Sequence, residues 1–498
     1  MLKCTRLLLV ACAGSALALA GCGEAEETAG SEGLYGSADF ILLMEDARYE
    51  ANRGDLAKAG ELLDQARELE PENPGLWVDI ARLRFRGGEH LPALQAADYA
   101  LELGPEYAPA LLLRAQLVRD AHGMADAVPW FEAAVSANPD NVDLLAEYAA
   151  TLGDLGRHSD MLAVVRKLHE VAEGHPQVFY LQAVLAARAG EPVLARSLLR
   201  RSGKVERDIP AALMLGALID IQQSNYDNAA TTLENLAERQ SSNARMQELL
   251  ARAWWLNGRD QELIERFGDR VTAPDASPYL TMLVGRALER QGEREQAAPI
   301  IERALMSREV QWAVLGGGRD LAPSLPRPTS EMRQLVDAES GGETRRFANE
   351  LVDRFSGSSD AHALAGDAAL ARGDAEGALE MYRIAATVRR PWPLTRKVIT
   401  AYRAYGDNKA ADTILIRHLR GEPRNVEALL MLAERRALAE DWLRVVVLLD
   451  QAKSLGGGND PKLLNLQAEA LAQIGRGEEA EAVANDARAI SPSGFVDG

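Results

Sequence analysis

Leu76 to Gly123 reads LWVDIARLRFRGGEHLPALQAADYALELGPEYAPALLLRAQLVRDAHG. Apolar residues recur here at helical spacing, Gly87-Gly88 interrupts them, and Pro105 closes the second apolar run, so the stretch up to that proline is a helix, a short turn and a second helix. The same figure then begins again: Ala115 stands 34 residues after Ala81, and His122, beside Gly123, stands 34 after Gly88. A period of this length marks stacked helical units, each too small to bury its apolar face alone.

Working outward, the beat holds over most of the chain. Small residues fall at Ala47, Ala81, Ala115, Ala149, Ala183, Ala217, Ala251 and Gly285, each 34 after the last. Turn residues keep the same interval at Gly54, Gly88, Gly156, Gly190, Gly258 and Gly292, with His122 and Ser224 filling the two missing beats. Pro71, Pro105 and Pro139 close second helices. Large residues enter five of the first helices early (Trp77, Leu111, Leu145, Phe179, Leu213), and six of the second helices carry an anchor (Leu63, Phe131, Val165, Leu199, Leu233, Phe267). The beat fails between Ser307 and Thr329, where a glycine triplet and Pro323, Pro326 and Pro328 exclude one continuous helix. Thr329 or Ser330 then caps a helix to about Glu339, with a partner over Glu343 to Phe355, and turns return at Gly373, Gly406, Glu440 and Gly475.

This pattern resembles the tetratricopeptide repeat (TPR) family. The resemblance implies an all-α fold, a right-handed TPR-type α-solenoid of about thirteen helical hairpins in two blocks. The expected organisation is residues 39–307 for the N-terminal block, 308–328 for an irregular linker and 329–498 for a TPR-like C-terminal block. Pro176 and Pro210 sit three residues off the proline beat, a departure that leaves the local curvature there open.

Before the first helix, Lys3 and Arg6 precede an apolar run from Leu7 to Leu19 that is too short to span a membrane and has the make-up of a secretory signal. It ends in Leu19-Ala20-Gly21-Cys22, which resembles the lipobox of bacterial lipoproteins. That resemblance implies cleavage of residues 1–21, acylation of Cys22, and, with Gly23 rather than Asp next, sorting to the outer membrane facing the periplasm. Residues 22–38 are acidic and Gly-rich and read as a flexible tether. Cys4 and Cys12 lie in the removed segment, so the mature chain forms no internal disulfide.

Composition narrows the function. With 74 Asp and Glu against 55 Lys and Arg the formal charge is −19, which argues against nucleic-acid binding, since phosphate backbones need a basic surface. The seven histidines are scattered without a metal-ligating spacing, no G-x-S-x-G elbow occurs, and neither glycine triplet is followed by the Lys-Ser/Thr of a phosphate loop. No cofactor, metal or catalytic residue is expected, and the chain reads as a non-enzyme.

What remains is surface. In TPR proteins first helices line the inner wall, and the repeat register places Arg48, Arg82, Arg252 and Arg286 at one inward position, with Phe85, Arg86, Arg119, Tyr180 and Trp255 close by. Guanidinium groups there suit the carboxylates of a partner. The alternative is that these arginines pair with acidic residues of neighbouring repeats. The Lys and Asn of the chaperone-binding carboxylate clamp are replaced by Met44 and Arg48, so that clamp is not supported.

The expected function is a membrane-anchored scaffold for envelope proteins or peptides in cell-envelope assembly or exopolysaccharide export. A weaker resemblance, to TPR lipoproteins of exopolysaccharide and exosortase loci, points the same way. The alternatives are binding of an anionic polysaccharide in the concave groove and trans-activation of a cell-wall enzyme.

Overall fold

The computed structural model describes residues 36–240, 243–272, 276–305 and 325–490. They form 26 α-helices and, among the described residues, no strand. In chain order these are α1 (Ala38–Arg53), α2 (Leu56–Leu69), α3 (Pro74–Arg86), α4 (His90–Leu103), α5 (Ala108–His122), α6 (Met124–Ala137), α7 (Val142–Asp154), α8 (His158–Val171) and α9 (Pro176–Arg188). Next come α10 (Pro192–Arg201), α11 (Pro210–Gln222), α12 (Tyr226–Arg239), α13 (Ala244–Leu256), α14 (Asp260–Phe267), α15 (Pro278–Arg290), α16 (Arg294–Leu305), α17 (Pro326–Asp337) and α18 (Gly341–Arg354). The last are α19 (Ser359–Ala371), α20 (Ala375–Ala385), α21 (Trp392–Tyr405), α22 (Asn408–Gly421), α23 (Val426–Ala437), α24 (Trp442–Ser454), α25 (Pro461–Gln473) and α26 (Gly477–Ile490). Taken two by two they are thirteen helical hairpins, the number the beat predicts.

Local chemistry sets the helix ends. Asp55 caps α2 by accepting the Lys58 N–H at 3.0 Å, and Asn141 caps α7 by accepting that of Leu144 at 3.0 Å. Between paired helices the chain passes through the left-handed region: Gly88 has φ +82°, and Ser224, which stands where the beat wants glycine, has φ +60°. The small residues on the beat are core: Ala81, Ala115, Ala149 and Ala251 are each at most 1% exposed. At Gly285 even a methyl group is excluded, since a Cβ would come 2.6 Å from Ile301 Cγ1.

The prolines off the beat mark helix starts. Pro176 and Pro210 open α9 and α11, because proline's missing N–H is redundant in a first turn and its φ is already helical. For the same reason α17 begins at Pro326, inside the segment expected to be irregular, and Thr329 lies within it, its hydroxyl donating to Leu325 O at 2.7 Å. Residues 1–35, with the signal, Cys22 and most of the tether, lie outside the described residues, as do 306–324 of the linker region.

The chain divides into two compact units, each drawing on both sides of that linker region. Among the described residues, one takes those of 36–181 and 325–423, and the other those of 182–305 and 424–490. In the first unit, α3–α6 meet α19–α22. The Leu91 N–H donates to Gly357 O at 3.1 Å, and Gly123 lies so close to Gly421 that a Cβ on it would come 2.8 Å from the Gly421 carbonyl carbon. In the second, α25 packs on α15 and α16, with Asn465 Nδ2 donating to Leu305 O at 3.3 Å.

Candidate functional site

Of the nine residues placed on the inner wall by register, Arg48, Arg82, Phe85, Arg86, Arg119 and Tyr180 belong to the first unit, and Arg252, Trp255 and Arg286 to the second. In the first, α1 and α3 bring Arg48 and Arg82 onto one carboxylate. Asp79, 7% exposed, lies 2.6 Å from Arg48 Nε and 3.3 Å from Arg82 Nη1. Arg86 reaches back to α1, donating to Ala51 O at 3.2 Å and Asn52 Oδ1 at 3.4 Å, while Arg119 donates to Glu147 at 3.1 Å and to the Thr151 hydroxyl at 3.0 Å. Tyr180 is half-buried.

Phe85 is 7% exposed, and its ring is engaged inside the fold rather than on an open surface. It meets the His90 ring edge-on at 5.0 Å and carries the Arg389 guanidinium at 5.3 Å. This is the centre of the contact between α3–α6 and α19–α22. His90, 1% exposed, accepts the Ser359 N–H on Nδ1 at 3.0 Å, which leaves no place for a proton on that nitrogen, and its Nε2 lies 3.5 Å from Arg389 Nη1. Burial, helped by the Arg389 charge, holds its pKa down at about 4. Arg389 pairs with Asp120 at 2.5 Å and Asp360 at 3.8 Å; Arg390 donates to Ala121 O at 2.9 Å and lies 2.7 Å from His122 Nδ1. Nearby, Glu422 accepts the Met124 N–H at 3.1 Å, and burial pushes its pKa up to about 7. None of this was visible in the sequence beyond the adjacent Arg389-Arg390 pair, because Asp120 and Arg389 lie 269 residues apart, and Met124 and Glu422 lie 298 apart.

In the second unit α13 and α15 position Arg252, Trp255 and Arg286. Arg286 pairs with Glu289 on its own helix at 3.1 Å. Arg252 forms no ion pair among the described residues; its resolved electrostatic neighbour is Tyr279, whose hydroxyl pKa burial holds up. Trp255 carries the Arg290 guanidinium over its ring at 4.6 Å, and its indole N–H, out of contact with solvent, has no hydrogen-bond partner among the described residues. Among the described residues no group of three His, Cys, Asp or Glu is arranged to hold a metal, and no helix is long and apolar enough to cross a membrane.

Tandem hairpins with small residues at the helix crossings define an all-α repeat protein. The family model described as Tetratricopeptide repeat matches residues 78–142 and 215–280, and the chain carries tetratricopeptide repeats. TPR proteins mediate protein–protein interactions. No curated protein matches the sequence at a significant level. Among solved structures, the chain is similar to a tetratricopeptide repeat protein from Parabacteroides merdae, at 18% identity and a TM-score of 0.29 over 55% of this chain and 95% of that one. It is similar also to PilW, a type IV pilus biogenesis factor, at 16% identity and a TM-score of 0.34 over 43% of this chain and 100% of that one.

Proposed function

We propose that the protein is a non-enzymatic scaffold, held at the periplasmic face of the outer membrane by acyl chains on Cys22, that binds envelope proteins or peptides during assembly or polysaccharide export. The observation that carries the binding role is Arg252. Arg48, Arg82, Arg119 and Arg286 are neutralised by carboxylates within the protein and Arg86 is held by the neutral acceptors Ala51 O and Asn52 Oδ1, whereas Arg252, in the same hairpin as Trp255, offers a guanidinium without a carboxylate among the described residues. A partner's carboxylate or main-chain carbonyl suits that position. Neutralisation of the other arginines lowers the support for a long anionic polysaccharide along the whole row.

Two measurements test this. An alkyne fatty acid fed to cells should label the protein and fail to label Cys22→Ala. A photo-crosslinker at Trp255 should trap one envelope protein repeatedly, and Arg252→Glu should abolish the adduct. Absence of lipid label removes the anchor, and absence of any adduct removes the scaffold.

A further inference from the structure

Between α10 and α12 the array breaks its own pattern. At the repeat position of Arg196, 34 residues apart, the other hairpins of the first eight carry small or apolar residues, among them Leu94, Val128, Leu162 and Ile264. At the position of Thr232 they carry Leu62, Val164, Leu198 and Ile300, and among all seven equivalents only Arg266 is polar. Polar groups where a repeat ordinarily places apolar ones mark a position under some demand other than folding.

The structure shows what they make. Arg196, Asp220, Gln223, Asn225, Asn228, Thr231 and Thr232 line a wide, open cleft of about 480 Å³, and none of these residues is apolar. Its one charged pair is closed on itself. Asp220, 8% exposed, pairs with Arg196, which also reaches Gln223 Oε1 at 3.5 Å; Asn225 Nδ2 reaches Asp220 at 3.5 Å. An incoming anion would therefore meet a guanidinium already neutralised, with a carboxylate behind it.

Asn228 and Thr232 complete the wall with side chains that both donate and accept. A peptide would bring side chains that need apolar pockets, which this lining does not provide. A sugar ring presents what it does provide for, closely spaced hydroxyl groups that each give and take a hydrogen bond. We infer that the cleft between α10 and α12 is a binding site for a neutral saccharide of one or two rings. It is separate from the Arg252 position and stands or falls independently of the scaffold reading.

The test is saturation-transfer NMR on the full chain with maltose, cellobiose and N,N′-diacetylchitobiose, and then titration calorimetry of any sugar that responds. Thr232→Leu restores the residue type of the other hairpins, so the fold is preserved while the cleft is filled. At least one sugar should bind, and Thr232→Leu should weaken it tenfold or more with an unchanged circular dichroism melt. Asn228→Ala, on an exposed surface, is a second variant and should also weaken binding. Failure of all three sugars to bind, binding that neither variant alters, or displacement of the sugar by an acetylated tetra-alanine peptide would overturn the assignment.

Discussion

Single side chains do two kinds of work here: they pair charges between hairpins and they resist ionisation where hairpins meet. Glu422 and His90 illustrate the second with opposite signs. Glu422 has its pKa raised to about 7, so it binds its proton more tightly in the folded protein; its contribution is complete below the unfolded value near 4.5 and is lost as pH rises through 7. His90, lowered to about 4, favours the folded state above the unfolded value near 6.5, and that contribution is lost as pH falls through 4. Between about pH 4.5 and 6.5 the two slopes oppose each other. Glu422→Gln keeps an acceptor for the Met124 N–H and removes one slope. Its urea-denaturation stability relative to the parent protein should therefore improve by up to about 3 kcal/mol between pH 4.5 and 8. A difference that stays constant with pH would refute the burial of this carboxyl. Neither group was legible in the sequence. A glutamate before proline and a histidine at a helix start look like surface residues until the neighbouring hairpin is in place.

Helices and turns were far more legible, because what specifies them is local. The 34-residue interval of small residues located the crossings, and the glycine beat located the turns, including the left-handed turn at Ser224. That turn carries a test of its own. An L side chain in this region costs about 1 to 2 kcal/mol, partly offset by the greater freedom of an unfolded glycine, so Ser224→Gly should stabilise the protein by about 0.5 to 1 kcal/mol. The midpoint of urea unfolding measures it; a lower midpoint would mean that the serine hydroxyl, 3.3 Å from Tyr226 Oη, outweighs the backbone term. Helix starts at proline were harder to read than helix stops. The same residue serves at both ends, and only the position of the next apolar stripe decides between them.

At the scale of the molecule, the repeat explains each neighbour-to-neighbour contact and none of the distant ones. The inward arginines could be aligned by register, but the carboxylates that neutralise them come from geometry: Asp79 stands among Trp77, Val78 and Ile80, where a core residue would be anticipated. The meeting of α3–α6 with α19–α22 leaves no periodic trace at all. It rests on Arg389, whose side chain is 13% exposed, between Asp120 and Asp360. Arg389→Ala would leave two buried carboxylates without their cation and should cost about 3 to 5 kcal/mol. Hydrogen exchange should then quicken in α4, α5, α20 and α21; unchanged protection there would show that the pairing contributes nothing.

That meeting also imposes a timetable. His90 and Ser359, like Asp120 and Arg389, are 269 residues apart, so a chain emerging from its N-terminus has to keep the α3–α6 surface uncovered until roughly four-fifths of its length has been made. Contacts of such long loop closure form late and slowly, and the interval is one in which a nascent chain is open to chaperones and proteases.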